Sequence, residues 1–322
     1  MELLYLSRAE VESLGVAMGD LIDAVEDAFR EKGRGGVEMP PKPGVHPRQD
    51  SFLHAMPAYL SGIDVAGLKW VAGYPANPRR GLPYISGLVV LNDPGTGLPL
   101  AVMDASWITA FRTGAATGVT VRHLGRPGAE VAAILGLGVQ GRTNLEAILA
   151  VCPGLRRVQG YDVNPEAADR YAREMTDRHG VRVTLAPDPE EAVRGADVVV
   201  TAGPILNNPA PVLRPEWLAE GVVGIALDFD SYWTGDALRA ADLVASDDRD
   251  QLDYYRTVGF FTDTPPVRAD LGDIVAGKVP GRTSPGQRII SINLGLAIED
   301  LAAARLVYRE AVARGRGTRL PL

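Results

Sequence analysis

The sequence predicts an α/β protein in which a parallel sheet covered by helices follows a strand-rich N-terminal region. Three observations predict it. From Val131 to Leu227, short apolar runs alternate with helix-length segments, the β-α-β-α texture of a parallel sheet. A glycine-rich turn, Gly136-Leu137-Gly138-Val139-Gln140-Gly141, falls between the first of these strands and its helix. Between Phe52 and Met103 the apolar runs are separated by turn clusters instead, as in an antiparallel or mixed sheet.

Composition bounds the answer. The chain has 322 residues, 46% hydrophobic and 23% charged, which is ordinary globular usage and excludes a disordered, collagen-like or disulfide-stapled chain. At roughly 150 residues per domain, this length predicts about two domains. The formal net charge is -7 and no Lys/Arg block stands out, so no nucleic-acid partner is expected. The lone cysteine, Cys152, cannot close an intramolecular disulfide and points to a reducing compartment. The segment MELLYLSRAEVESLG lacks a cationic start and a long apolar core, and no run has the roughly 18 apolar residues of a membrane span. A soluble cytoplasmic protein without a membrane partner is expected.

In order along the chain, Ser7–Arg30 reads as helix, with Ser7 and Glu10 spaced as a capping box. Leu21, Ile22, Val25 and Phe29 line one helical face. Residues 33–47 are Gly/Pro-rich loop. Strands are expected at 52–56, 67–72, 87–92 and 99–102, the last two joined as a hairpin by Asn92-Asp93-Pro94-Gly95-Thr96-Gly97. Helix returns at 106–123. Then come strands at 131–135, 157–161, 181–185, 197–201 and 222–227, with helices at 144–151 and 166–178 between them. Asp188-Pro189-Glu190-Glu191 reads as an N-cap, a first-turn proline and first-turn acids. A last long helix is expected over 289–314.

The turn at Gly136, Gly138 and Gly141 matches a Rossmann-type dinucleotide fingerprint in its context. A strand precedes it, a helix follows it, and Asp162 ends the next strand 21 residues past Gly141. Gly136 allows the tight turn, Gly138 lets a pyrophosphate approach, and Gly141 lets the helix pack on the strand. The helix N-terminus offers free N–H groups to phosphate. A carboxylate at Asp162 accepts from ribose hydroxyls and repels a 2′-phosphate, which favours NAD, with NADP possible. Arg142 reads as a solvated helix residue or a phosphate contact, and Asn164 as a neighbour of the adenosine.

Only four residues are lysines: Lys32, Lys42, Lys69 and Lys278. Lys69, in the strand Gly67-Leu68-Lys69-Trp70-Val71, faces either solvent or a substrate, where partial burial would bring its pKa towards neutrality. Arg112 lies in a small-residue apolar helix, so it is either paired within the chain or used to bind a carboxylate. Asp228 and Asp230 follow the strand 222–227, at the end where open α/β sheets bind ligands. His46, His54, His123 and His179 lack metal-ligand spacing, and no metal is expected.

The runs Met56-Pro57-Ala58-Tyr59-Leu60, Gly67-Leu68-Lys69, Gly81-Leu82-Pro83, Asn92–Gly97, Ile108-Thr109-Ala110-Phe111-Arg112-Thr113, Gly136–Gly141, Gly281-Arg282-Thr283 and Asn293-Leu294-Gly295 together resemble the ornithine cyclodeaminase/mu-crystallin family, over nearly the whole chain. The resemblance implies a Rossmann domain, 121–289, and a second α+β domain for substrate and dimerisation, built from 1–120 and 290–322. It implies a nicotinamide cofactor that exchanges hydride with the α-carbon of an amino or imino acid, and a homodimer. It places Lys69 and Arg112, with Lys42 and His54, at the substrate. Lys69 and Asp228 become the catalytic groups, with Asp230 the alternative acid. Arg112, Thr113, Gly136, Gly138, Val139, Gln140, Gly141, Asp162, Thr201, Asp228 and Asn293 become cofactor contacts.

Lys42 and His54 depart from the family pattern. His54 stands where an ornithine enzyme is expected to carry an acid for the distal ammonium. The resulting expectation is an NAD(P)-dependent imino-acid reductase or amino-acid dehydrogenase. The alternatives are a cyclodeaminase using NAD catalytically and a non-catalytic binding protein of the mu-crystallin kind.

Overall fold

The computed structural model describes residues 2–206 and 208–322. It divides into two compact units, Met1–Arg112 with Leu296–Leu322, and Thr113–Gly295. The first division falls inside the helix Ala105–Leu124, where the sequence reading had put the boundary at 120.

The first unit is built on an eight-stranded mixed sheet. Its order is Thr318–Pro321, Glu2–Leu6, Pro99–Asp104, Ile85–Asn92, Val65–Gly73, Phe52–Leu60 and Val37–Glu38, with Gly44–Val45 also paired to Phe52–Leu60. The expected hairpin is present: Ile85–Asn92 and Pro99–Asp104 pair antiparallel. The Asp93 side chain accepts from the amides of Gly95 and Thr96 in its turn. Strand alternation sends Met56, Lys69 and Val89, which are register partners, to one face. That face is covered by the helix Ala297–Ala313. The helix approaches closely because position 67 is glycine: a Cβ there would lie 2.3 Å from the Val90 carbonyl oxygen and 3.1 Å from Leu301 Cδ2. The opposite face carries Pro57, Leu68, Trp70, Leu88, Val90 and Val102, none of which is buried, and Trp70 and Leu88 are 41% and 45% exposed.

Two expectations change here. The segment read as one helix over Ser7–Arg30 is two, Arg8–Ser13 and Met18–Arg34, separated at Gly15, whose φ of 59° ends the first. The Ser7/Glu10 capping box is present. The helix read over 289–314 begins only at Ala297. Residues Ile289–Ile292 are instead a fully buried strand, as a β-branched run enclosed on both faces of a parallel sheet should be.

The second unit is an eight-stranded all-parallel sheet. Its order is Arg182–Leu185, Arg157–Tyr161, Val131–Leu135, Val198–Thr201, Val223–Ala226, Ile289–Ile292, Leu243–Ser246 and Ala269–Asp270. The order reverses between Val131–Leu135 and Val198–Thr201, the switch point of a doubly wound sheet. Asp188 caps its short helix, with Pro189 in the first turn. Among the described residues, no helix is long and apolar enough to cross a membrane.

Candidate active site

In the second unit the three fingerprint glycines have three different surroundings. Gly136 sits at φ 94°, and a Cβ there would lie 2.5 Å from the Ala202 carbonyl oxygen. A Cβ at Gly141 would lie 2.5 Å from the Gly136 carbonyl oxygen. These two are glycines because the protein itself leaves no room. Gly138 meets nothing within 4 Å, so the protein's own packing does not require its lack of a side chain. A cradle open above the middle glycine is what a pyrophosphate needs. Gly138 is also the N-cap of the helix Val139–Val151 and supplies no side-chain cap, so the first-turn amides keep their capacity to hold phosphate. The residues present fit a dinucleotide.

Asp162 lies at the end of the neighbouring strand and is tied to this loop. One carboxylate oxygen accepts from the Leu137 amide at 2.8 Å and the other from the Asn164 amide at 2.8 Å. Asn164 caps the helix Pro165–His179 and spends its side-chain oxygen on Glu166 and Ala167. Arg142 lies in the helix Val139–Val151 with its side chain 26% exposed. Its guanidinium donates to the carbonyls of Leu137 and Gly138 and to Glu174, so it braces the loop from behind. In the first turn of the helix, Val139 is exposed and the Gln140 side chain accepts from Asn144 at 3.2 Å.

Asp228 follows the strand Val223–Ala226 and is fully buried. Oδ1 accepts from the Thr201 hydroxyl at 2.8 Å, and Oδ2 from the Gly203 amide at 3.1 Å. Burial pushes its pKa up to about 7 against those donors. Asp230 is used differently, as an acceptor for the Phe261 amide at 2.8 Å. Asn293 is buried, takes the Ser291 hydroxyl at 2.7 Å and donates to Thr120 at 3.1 Å. Thr113 is half-buried in the helix that begins this unit.

In the first unit, Lys69 is 1% exposed and its Nζ donates to Asp300 Oδ1 at 2.7 Å. The solvent-facing alternative is therefore ruled out. Arg112 meets Glu299 Oε2 at 2.5 Å through Nη1, and its Nε lies 3.0 Å from Asp300 Oδ1. The ion-paired alternative for Arg112 is thus realised, and both acids are fully buried. Two cations and two carboxylates form one cluster. The acids stand in the first turn of the helix Ala297–Ala313, where the helix dipole also favours negative charge. Burial, then Arg112, lowers the Lys69 pKa to about 7, against the opposing pull of Asp300. Glu299 is raised by burial.

The expected substrate residues are brought together. Burial lowers the His54 pKa to about 4, with Lys42, His46 and Lys69 adding to the shift. Lys42 and Arg112 both act on Lys69. His54 is stacked on Phe52 at 4.4 Å. Lys42 and Lys69 both bear on the His54 imidazole, which burial keeps neutral, and Lys69 and Arg112 share Asp300. Sequence reasoning missed Glu299 and Asp300. Two adjacent acids inside the apolar stretch Leu294–Ala304 were the available signal, because acids are rarely fully buried without partners.

Comparison with known proteins agrees with this geometry. Alanine dehydrogenase of Archaeoglobus fulgidus is 37% identical over 329 aligned positions, covering 99% of this chain and 98% of that protein. A solved archaeal alanine dehydrogenase dimer with bound NAD is 36% identical, covers all of both chains and superposes with a TM-score of 0.89. The structure of Thermococcus litoralis Δ1-pyrroline-2-carboxylate reductase in complex with NADH and L-proline is 32% identical. It covers 98% of this chain and 99% of that one, with a TM-score of 0.88. The family model described as ornithine cyclodeaminase/mu-crystallin matches residues 1–315. With a Rossmann-type nucleotide fold and these relatives, the chain belongs to the ornithine cyclodeaminase/mu-crystallin family.

Proposed function

We propose that this protein is an NAD-dependent oxidoreductase that interconverts a 2-imino acid and the corresponding 2-amino acid. The observation that carries the reading is the buried Lys69, hydrogen-bonded to Asp300, which it shares with Arg112. The Thr113–Gly295 unit binds the dinucleotide through Gly136, Gly138, Gly141 and the helix N-terminus, with Asp162 taking the ribose hydroxyls. The Met1–Arg112 and Leu296–Leu322 unit binds the substrate. NAD(H), when bound, supplies or accepts the hydride at the substrate α-carbon.

The protein's own residues handle charge and protons. Lys42 meets the substrate carboxylate, and Arg112 reaches it while still paired with Glu299 and Asp300, since a guanidinium has five N–H donors. Lys69, whose ammonium burial makes a readier acid, gives its proton to the imine nitrogen as the C–H bond forms. In the reverse direction it takes that proton back. Lys69 regains a proton from solvent after each transfer, and the Asp300 carboxylate favours that charged form. Asp228 is the acid–base group of the nucleotide unit. The uncovered sheet face with Leu68, Trp70, Leu88 and Val90 forms the contact of a homodimer, as an apolar face of this kind requires a partner. Relatives acting on alanine and on a cyclic imino acid, one of them a dimer, support the reading.

The test is a panel of cyclic imines, and of 2-oxo acids mixed with ammonium or methylamine, assayed with NADH and with NADPH. Sustained oxidation of NADH, faster than that of NADPH, is expected. Proline formed from L-ornithine with no net change in cofactor would show a cyclodeaminase instead. Cofactor binding without turnover across the panel would leave a binding protein.

A further inference from the structure

Trp233 and Asp228 are joined through a single hydroxyl. The indole is 2% exposed, and its Nε1–H donates to Thr201 Oγ1 at 3.0 Å. Thr201 Oγ1 in turn donates to Asp228 Oδ1 at 2.8 Å. An indole nitrogen only donates, and a hydroxyl has a single hydrogen. With the indole hydrogen on one lone pair of Thr201, the hydroxyl is polarised and donates more strongly to Asp228. Asp228 stands at the accepting end of this chain. The Gly203 amide occupies the other carboxylate oxygen.

The surroundings hold this arrangement in place. A Cβ at Gly224 would lie 2.4 Å from the Trp233 ring, so the strand Val223–Ala226 provides a slot for the indole. The backbone at this point is held by the bridge between Leu213 and Trp233. Phe229 follows Asp228 at φ 59°, a strained conformation for a bulky residue. Its ring packs on Tyr255, Phe260 and Phe261, with centroids 4.8, 5.3 and 5.2 Å away, and that packing offsets the strain. The charged and titratable groups that act on or respond to Asp228 are Asp230, which disfavours its charge, and Tyr232, whose phenol is raised by burial and then by Asp228. Burial also disfavours its charge. Thr201, the Gly203 amide and its own amide favour the carboxylate.

We propose that Trp233 is a positioning residue that sets the protonation of Asp228 through Thr201, holding Asp228 as a hydrogen-bond acceptor. The inference rests on Asp228 being the acid–base group of the proposed reaction. Without the indole N–H, the Thr201 hydroxyl loses the donor that polarises it and hydrogen-bonds the carboxylate less strongly. The charged form is then less well stabilised relative to the neutral acid.

The test is an infrared titration of the carboxyl band in the full-length, ligand-free protein, with Asp228→Asn identifying the band. Trp233→Phe keeps the ring in its slot and removes the N–H. The Asp228 midpoint is expected to rise by about half a pH unit in this variant, and by about one unit in Thr201→Val. Thr201→Ser restores the hydroxyl and is expected to keep the native midpoint. In turnover, the acid limb of kcat moves up with the midpoint, while KM for NADH stays within about twofold. Identical midpoints for Trp233→Phe and the native protein overturn the proposal. If Trp233→Phe does not fold, the Thr201→Val and Thr201→Ser pair decides, and equal midpoints there overturn it. A shifted midpoint combined with full activity of Asp228→Asn would sink the catalytic role of Asp228 and leave the positioning role standing.

Discussion

In the first unit, Lys69 and Arg112 are buried against Glu299 and Asp300, so charge is met by charge. In the second, Asp228 is buried against a hydroxyl and an amide, so charge is met by dipoles. The two solutions have different weaknesses. An ion cluster fails when one member is removed, because the remaining charge is left buried without its partner. A dipole-held carboxylate responds to loss of a donor by shifting its proton affinity instead. The first unit is therefore where substitutions should hurt most, and the second where they should tune.

The largest effect is expected at Lys69. Lys69→Met keeps the stem and removes the proton donor, and kcat should fall by about 10²–10⁴-fold. NADH binding, followed by fluorescence titration, should be unchanged. Retained turnover in this variant would remove Lys69 from the chemistry.

Next comes Asp300. Asp300→Ala leaves Lys69 buried without its hydrogen-bonded carboxylate and takes one of its two acids from Arg112's ion cluster. Chemical denaturation should show a loss of about 3–5 kcal/mol. A loss within the ordinary surface range of about 0.5 kcal/mol would mean that the cluster relaxes to admit water.

The glycine turn separates fold from function within a single motif. Gly136→Ala forces a positive φ and a backbone clash, and should destabilise by about 1–3 kcal/mol. Gly138→Ala projects into open space, so its melting temperature should hold while NAD affinity drops by about tenfold. Equal effects of the two substitutions on stability would contradict the open cradle.

The last contrast is in pH dependence, and it is small only per pH unit. The folded-state pKa of Asp228 is raised from 3.8 to about 7, so its contribution to stability is present below pH 3.8 and lost as pH rises to 7. That of Lys69 is lowered from 10.5 to about 7, so its contribution is present above 10.5 and lost as pH falls to 7. Denaturation curves should therefore lose a downward slope between pH 4 and 7 in Asp228→Asn. They should lose an upward slope between pH 7 and 10.5 in Lys69→Met. Each slope amounts to about 1 kcal/mol per pH unit. Slopes unaltered by these substitutions would place both groups in wetter surroundings.

What was legible in the sequence follows the same division. The nucleotide unit is specified by local spacing: strand, three glycines, helix, and an acid ending the next strand. The elements at 131–135 and 157–161 were placed to the residue for that reason. The pairing of Lys69 with Asp300 joins residues 231 positions apart, and that of Arg112 with Glu299 joins residues 187 apart. No periodicity carries such information. The sequence showed only that a lysine in an apolar strand and an arginine in an apolar helix needed partners. Arg142 reads as a helix residue and is one, but its bonds to the Leu137 and Gly138 carbonyls have no sequence signature, because every residue has a carbonyl. The strand Ile289–Ile292 was absorbed into a helix because a short apolar run has no period of its own.

The central claim is that hydride passes to the α-carbon of an imino acid with net consumption of the reduced cofactor. It is tested most directly with NADH carrying deuterium at the transferable position and Δ1-pyrroline-2-carboxylate as substrate, the product being analysed by mass spectrometry and proton NMR. The account predicts proline with one deuterium at the α-carbon and one NAD⁺ formed per proline. Unlabelled proline, or no proline from the imine alongside proline from L-ornithine at constant NADH, would contradict it.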